Sequence, residues 1–233
     1  MNVVQVGQAM TPRKFDSRTL RSRDQRAEGP AALADSGNAH YMIGRISGRG
    51  ISCDHPAVGS VDVRRHAQRL DVEREDSELS PRGRGHSLQL AAAAPRYAVV
   101  AASPLRRAQD TAELIAGRKP EVTEDLLPAL PAAVNARYER LSTLADWRGL
   151  IDELEEARLV AEAQVAVWDR LAAAAGPRGH ALAVTHGGLI ELAAVHLARR
   201  LGAHLEGPSF GYGQGVRIAY EDGVAVAITR LGG

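Results

Sequence analysis

"YAVVAASPLRRAQDTAELIAG", residues 97–117, decides the architecture. Tyr97 to Ala102 is a short apolar run without polar alternation, which fits a strand buried on both faces. Ser103 then reads as an N-cap and Pro104 as the first helical residue. Apolar residues recur at helical spacing through Ile115, and Gly117 stops the helix. A buried strand running straight into a helix is the building unit of a parallel sheet.

The same grammar recurs on both sides. Downstream, "HALAVT" (180–185) is a second buried strand. It is broken by His186-Gly187-Gly188 and followed by "LIELAAVHLARRLG" (189–202), an expected amphipathic helix closed by Gly202. Upstream, "SVDV" (60–63) is a short strand leading into Arg64, Arg65 and His66. "LSPRGRGHSLQLAAAA" (79–94) then starts a helix, with Ser80 as N-cap and Pro81 at the first position. A helical middle is strongest from Trp147 to about Ala175, and both Trp147 and Trp168 are expected in packing positions. "GVRIAYEDGVAVAITRL" (215–231) holds two alternating runs about Glu221-Asp222-Gly223, a hairpin signal. The expected fold is a three-layer α/β/α domain with a mainly parallel central sheet and a closing β-hairpin at the C-terminus. It should span residues 59–233. Residues 1–58 are polar and rich in Gly, Ser and Arg without periodicity, and read as a disordered or poorly structured extension.

Composition removes several classes of function. With 29 Lys and Arg against 28 Asp and Glu, the formal net charge is +1, which does not suit a general nucleic-acid binder. Cys53 is the single cysteine, so neither an internal disulfide nor a Cys-based zinc cluster can form. No apolar run approaches the ~20 residues of a membrane span, and the N-terminus lacks a secretory pattern. The reading is a cytoplasmic enzyme. The eight histidines show no paired metal-ligand spacing. "GPSFG" (207–211) resembles a nucleophile elbow, but it lacks the strand before it and the later histidine that such a site needs. "GYGQG" (211–215) leads into a strand and not into the helix of a dinucleotide site.

The chemistry gathers at strand ends. Ligands of open α/β sheets bind beyond the carboxyl ends of the strands. Three stretches fall there: Arg65-His66, "SPLRRA" (103–108) and "THGG" (185–188). Arginine forks match phosphate oxygens, and helix N-termini add N–H donors. Cations around His66 should keep its imidazole neutral, hence nucleophilic near pH 7 and able to form a phosphohistidine. Arg65, Arg107 and His186 would stabilise charge on the phosphoryl oxygens. Any one stretch alone also reads as an ordinary cap or turn. Their joint order at strand ends is what points to a phosphate site.

Four ordered motifs carry a resemblance to the histidine phosphatase superfamily, the phosphoglycerate mutase-like family. They are Arg65-His66-Ala67, "LSPRGRGHS" (79–87), "SPLRRAQDTAEL" (103–114) and "VTHGG" (184–188), and the closing hairpin is similar as well. The resemblance covers about residues 60–231. It implies that His66 is the phosphorylated nucleophile, and that Arg65, Arg107 and His186 bind and polarise the phosphoryl group, with no metal. Gly187 and Arg69 join Arg65 and Arg107 as expected substrate contacts, and Arg64 is expected to point to solvent or to the N-terminal segment. Three departures matter. Ala67 replaces the glycine of the hallmark, and Arg69 and Val72 stand where mutases and many sugar-phosphate phosphatases carry a hydroxyl residue and Asn. Ala129 stands where the family places its general-acid Glu, leaving Glu124, Asp125 and Glu139 as candidate substitutes. These changes favour a phosphatase acting on a small phosphorylated substrate or a phosphoprotein. The alternatives are a mutase-type phosphotransferase and a catalytically weak phosphate-ligand binding or regulatory protein. Residues 124–165 are expected to supply the lid over the site.

Overall fold

A parallel sheet needs crossover helices, and the chain supplies one after nearly every strand. The computed structural model describes residues 58–233. The expectation for the N-terminal extension therefore lies outside the described residues, except for Val58, which is the first residue of β1 (Val58–Arg65). The other strands are β2 (Val99–Ala102), β3 (Glu121–Val122), β4 (His180–Thr185), β5 (Gly215–Glu221) and β6 (Val224–Leu231). They form one six-stranded sheet in the order β3-β2-β4-β1-β5-β6. The first four in sequence run parallel, whereas β5 and β6 are antiparallel additions at one edge. The sheet is thus mixed, with a mainly parallel half and a C-terminal hairpin.

Helices cover both faces. α1 (Pro81–Ala92) and α2 (Arg106–Ala116) pack together on one side. There Val100, Ala102, Leu182 and Val184 meet Ala108, Ala112 and Ile115. Short α3 (Ala132–Asn135) precedes α4 (Leu144–Glu153), α5 (Glu155–Ala175) and α6 (Leu189–Arg200), which pack against one another. The helical middle is therefore two helices meeting at Leu154, and Trp147 and Trp168 are both buried. Apolar side chains on alternate β4 positions face opposite layers, which is why its whole run is apolar.

Two local expectations change. α6 is not a half-exposed helix: Leu189 to Val195 are all buried, because it lies between the sheet and α4–α5. Ser103 does not cap α2, which begins three residues later at Arg106. The first N–H of that helix, on Arg106, is satisfied instead by Asp76 Oδ1 at 2.7 Å from the loop before α1.

α1 also fixes the chain that follows β1. Ser80 caps it, accepting from Gly83 N at 3.0 Å, and Ser80 N donates to Gln68 O at 3.0 Å. Gly83 presses so closely on this segment that a Cβ would overlap the Gln68 carbonyl oxygen. The Gly83→Ala variant is expected to lose about 1–3 kcal/mol of stability in urea unfolding, because backbone must move to admit the methyl group.

Candidate active site

β1 ends at Arg65, and the next residue, His66, is anchored on three sides. Its N–H donates to Thr185 O at 2.9 Å, which ties it to the end of β4. Ala67 N donates to Thr111 Oγ1 of α2 at 3.0 Å. The His66 ring places Nδ1 2.7 Å from the Ala67 carbonyl oxygen. A carbonyl only accepts, so Nδ1 carries the ring hydrogen and Nε2 keeps its lone pair.

That lone pair accepts from Arg107 Nε at 3.1 Å. Arg107 comes from the first turn of α2 and is 6% exposed. Its Nη2 donates to His186 Nδ1 at 3.3 Å, and Nη1 donates to the Glu75 carbonyl oxygen. Because His186 accepts at Nδ1, its hydrogen lies on Nε2 and is donated to Ser103 Oγ at 2.8 Å. One guanidinium therefore bridges two imidazoles whose ring centres are 5.0 Å apart. Burial, then Arg107 and the other nearby cations, push the His66 pKa down to about 3 despite the bond to Ala67. The His186 pKa is lowered further, first by burial and then by His66 and Arg107. Both rings are neutral across the physiological range.

Arg65 is held by the loop before β5. Its Nη1 donates to Phe210 O at 2.8 Å, and its guanidinium lies 5.0 Å from the Tyr212 ring centre. Tyr212 also flanks His66, at 5.6 Å between ring centres. The loop itself hangs on Glu191, which is 1% exposed. Glu191 Oε1 accepts from Phe210 N at 2.9 Å and Oε2 from Gly188 N at 2.6 Å. Burial raises the Glu191 pKa, while these backbone donors work in the opposite direction.

Arg65, His66, Arg69, Arg107, His186 and Gly187 all line one pocket of about 270 Å³. All six residues expected at the site are thus brought together. The remaining lining is Tyr212 together with Pro128, Leu130, Asn135 and Tyr138 from the expected lid. Gly187 is needed for close approach, since a Cβ there would sit 2.7 Å from Tyr138 Oη and 3.2 Å from Arg65 Cζ.

Other expectations are corrected. None of Glu124, Asp125 and Glu139 lines the pocket. Asp125 pairs with Arg170 at 2.6 Å, and Glu124 and Glu139 are exposed. Among the described residues no carboxylate borders this cavity. At each of the two helix starts one N–H is engaged by a carboxylate: Asp76 takes the first N–H of α2, and Glu191 takes Gly188 N before α6. Arg64 is half-buried and donates to Gly213 O at 2.7 Å and Gly232 O at 2.9 Å; the N-terminal segment, its other expected neighbour, lies outside the described residues. Sequence reasoning missed Ser103 as the partner of His186, and missed Thr111, Glu191, Tyr138 and Tyr212 altogether. Among the described residues, no cluster of three or more His, Cys, Asp or Glu has the arrangement of a metal site.

A buried, unprotonated imidazole nitrogen among permanent cations at the wall of a pocket fits nucleophilic attack on an oxyanion-bearing centre. Residues 62–229 match the family model described as the histidine phosphatase superfamily (branch 1), and the chain belongs to that family. Its fold is shared with phosphoglycerate mutase from Bacillus anthracis str. Sterne, at 18% identity and a TM-score of 0.52 over 76% of this chain and 93% of that one. "Mycobacterial hydrolase 2" matches at 22% identity and a TM-score of 0.50, covering 70% and 83% of the two chains. A mycobacterial glucosyl-3-phosphoglycerate phosphatase matches at 21% identity and a TM-score of 0.46, covering 74% and 97%. The search of curated proteins returned no match. Among the described residues no helix is long and apolar enough to cross a membrane.

The depressed histidine pKa values make the fold acid-sensitive. Below about pH 6.5 the unfolded chain binds protons that native His66 and His186 refuse, so stability falls as pH drops towards the native values. Each ring contributes a slope of up to about 1.4 kcal/mol per pH unit. Unfolding free energies measured from pH 7 to pH 4 should decline, and less steeply in His186→Asn than in the parent.

Proposed function

We propose that the chain is a metal-independent phosphatase that cleaves a phosphomonoester or a phosphohistidine through a covalent phosphohistidine at His66. The supporting observation is the tautomer: Nδ1–H is committed to Ala67 O, which leaves Nε2 as the nucleophile in a pocket rich in cations. In this reading the phosphoryl oxygens take over the Arg107 Nε donor that now rests on Nε2. Arg65, Arg69 and Arg107 neutralise the developing charge, and His186 adds its own polarisation. The Nε2 lone pair forms the N–P bond as the bond to the leaving group breaks; water then attacks phosphorus, the N–P pair returns to Nε2, and inorganic phosphate is released. Phosphate monoesters are the slowest class of uncatalysed hydrolyses, and a site this dense in fixed donors suits them. We place the activity in the cytoplasm, on a small phosphorylated molecule or a phosphoprotein.

The mutase alternative has less support, because Arg69 and Val72 stand in place of the hydroxyl residue and Asn that the resemblance assigns to mutase substrate contacts. One observation favours the binding-protein alternative. Without a carboxylate in the pocket, an alkoxide leaving group has no conventional proton donor. Phosphoramidates and acyl phosphates need less help, which directs attention to phosphohistidine.

The experiment is turnover of p-nitrophenyl phosphate and of a phosphohistidine peptide by the parent and by His66→Ala. Loss on the order of 10³-fold or more is expected in the variant, with inorganic phosphate still bound. Equal turnover would remove His66 as nucleophile, and binding without turnover in the parent would establish the binding-protein reading.

A further inference from the structure

We propose that the Tyr138 phenol supplies the leaving-group proton that a carboxylate supplies in an ordinary acid-base phosphatase. The proposal rests on the phosphatase reading above. In-line displacement expels the leaving group on the side away from His66 Nε2. Tyr212 belongs to the nucleophile's side, since its ring flanks His66 and underlies Arg65. Besides the cations, the imidazoles, Gly187 and Tyr212, the pocket is lined by Pro128, Leu130, Asn135 and Tyr138. Two of these have no acidic hydrogen to give, and the Asn135 amide is not an acid and donates to Leu130 O at 3.0 Å. Tyr138 alone brings an O–H.

Its placement is built. The Tyr138 ring meets Trp147 edge-on at 5.6 Å, and Trp147 is 1% exposed with Nε1 donating to Ser209 Oγ at 2.9 Å. The hydroxyl has no protein hydrogen-bond partner among the described residues and lies against the same face of Gly187 as the Arg65 guanidinium. Burial raises the Tyr138 pKa, which keeps the phenol protonated before reaction, and the Arg65 charge acts in the opposite direction, towards the phenolate. Donor and stabilising cation are thus adjacent.

The steps balance. The Nε2 lone pair forms the N–P bond as the ester P–O bond breaks, and the phenolic hydrogen passes to the departing oxygen. An alcohol leaves, with a phenolate beside Arg65. Water next attacks phosphorus and gives its proton to the phenolate while the N–P bond pair returns to Nε2. Phosphate and the starting phenol result.

The test compares parent and Tyr138→Phe on a series of monoesters from p-nitrophenyl phosphate to β-glycerophosphate, with circular dichroism and thermal melting as controls on folding. The kcat loss should grow with leaving-group basicity, from a few-fold for the nitrophenyl ester to about 10²-fold for the alkyl ester. A structural role would lower all substrates alike. A uniform loss, no loss on the alkyl ester, or a parent that cleaves only the nitrophenyl ester would each overturn the assignment. Absence of all turnover in the parent would instead defeat the phosphatase reading, and the Tyr138 role with it.

Discussion

One buried guanidinium between two neutral imidazoles organises this site. Arg107 donates to His66 Nε2 and to His186 Nδ1, and burial, reinforced by this permanent cation, keeps both rings neutral. Everything nearby serves this arrangement. Thr111 Oγ1 accepts from Ala67 N and donates to Arg107 O at 2.7 Å, joining the nucleophile's segment to the helix that carries the guanidinium. Ser103 takes the hydrogen of His186 and so fixes which nitrogen faces Arg107.

The sheet order explains why these groups meet. β2, β4 and β1 are neighbours and run parallel, so their carboxyl ends deliver "SPLRR", "HGG" and "RH" to one edge. The antiparallel hairpin then brings the loop of Phe210 and Tyr212 against Arg65, and buried Glu191 clamps that loop to the start of α6. A carboxylate hidden this deeply is costly unless both oxygens are bonded. Here both are, and the position of Arg65 depends on it.

Much of this was legible in the sequence because it rests on local patterns. The runs at 97–102 and 180–185 are apolar on both faces, and Glu221-Asp222-Gly223 sits between alternating strands, so strands and hairpin could be read directly. Arg65, His66, Arg107, His186 and Gly187 follow from their places at strand ends. What could not be read depends on long-range pairing. Ser103 before a proline looks like a cap, and only the approach of β4 turns it to His186. Glu191 looks like a solvent-facing residue of an amphipathic helix, and only the layering of α4 and α5 buries it. The sequence around Ala129 offers Glu124, Asp125 and Glu139 as acids, yet the lid folds so that Tyr138 enters the pocket while Asp125 turns to Arg170.

The central claim is that His66 becomes covalently phosphorylated on a nitrogen kept free by its own backbone. The direct measurement is rapid quenching in alkali, which preserves phosphohistidine, during turnover of p-nitrophenyl phosphate, followed by peptide mass spectrometry. The account predicts one phosphoryl group on the peptide containing His66, absent from His66→Ala. Turnover with no phosphorylated His66 at any quench time, or with the label on another residue, would contradict it.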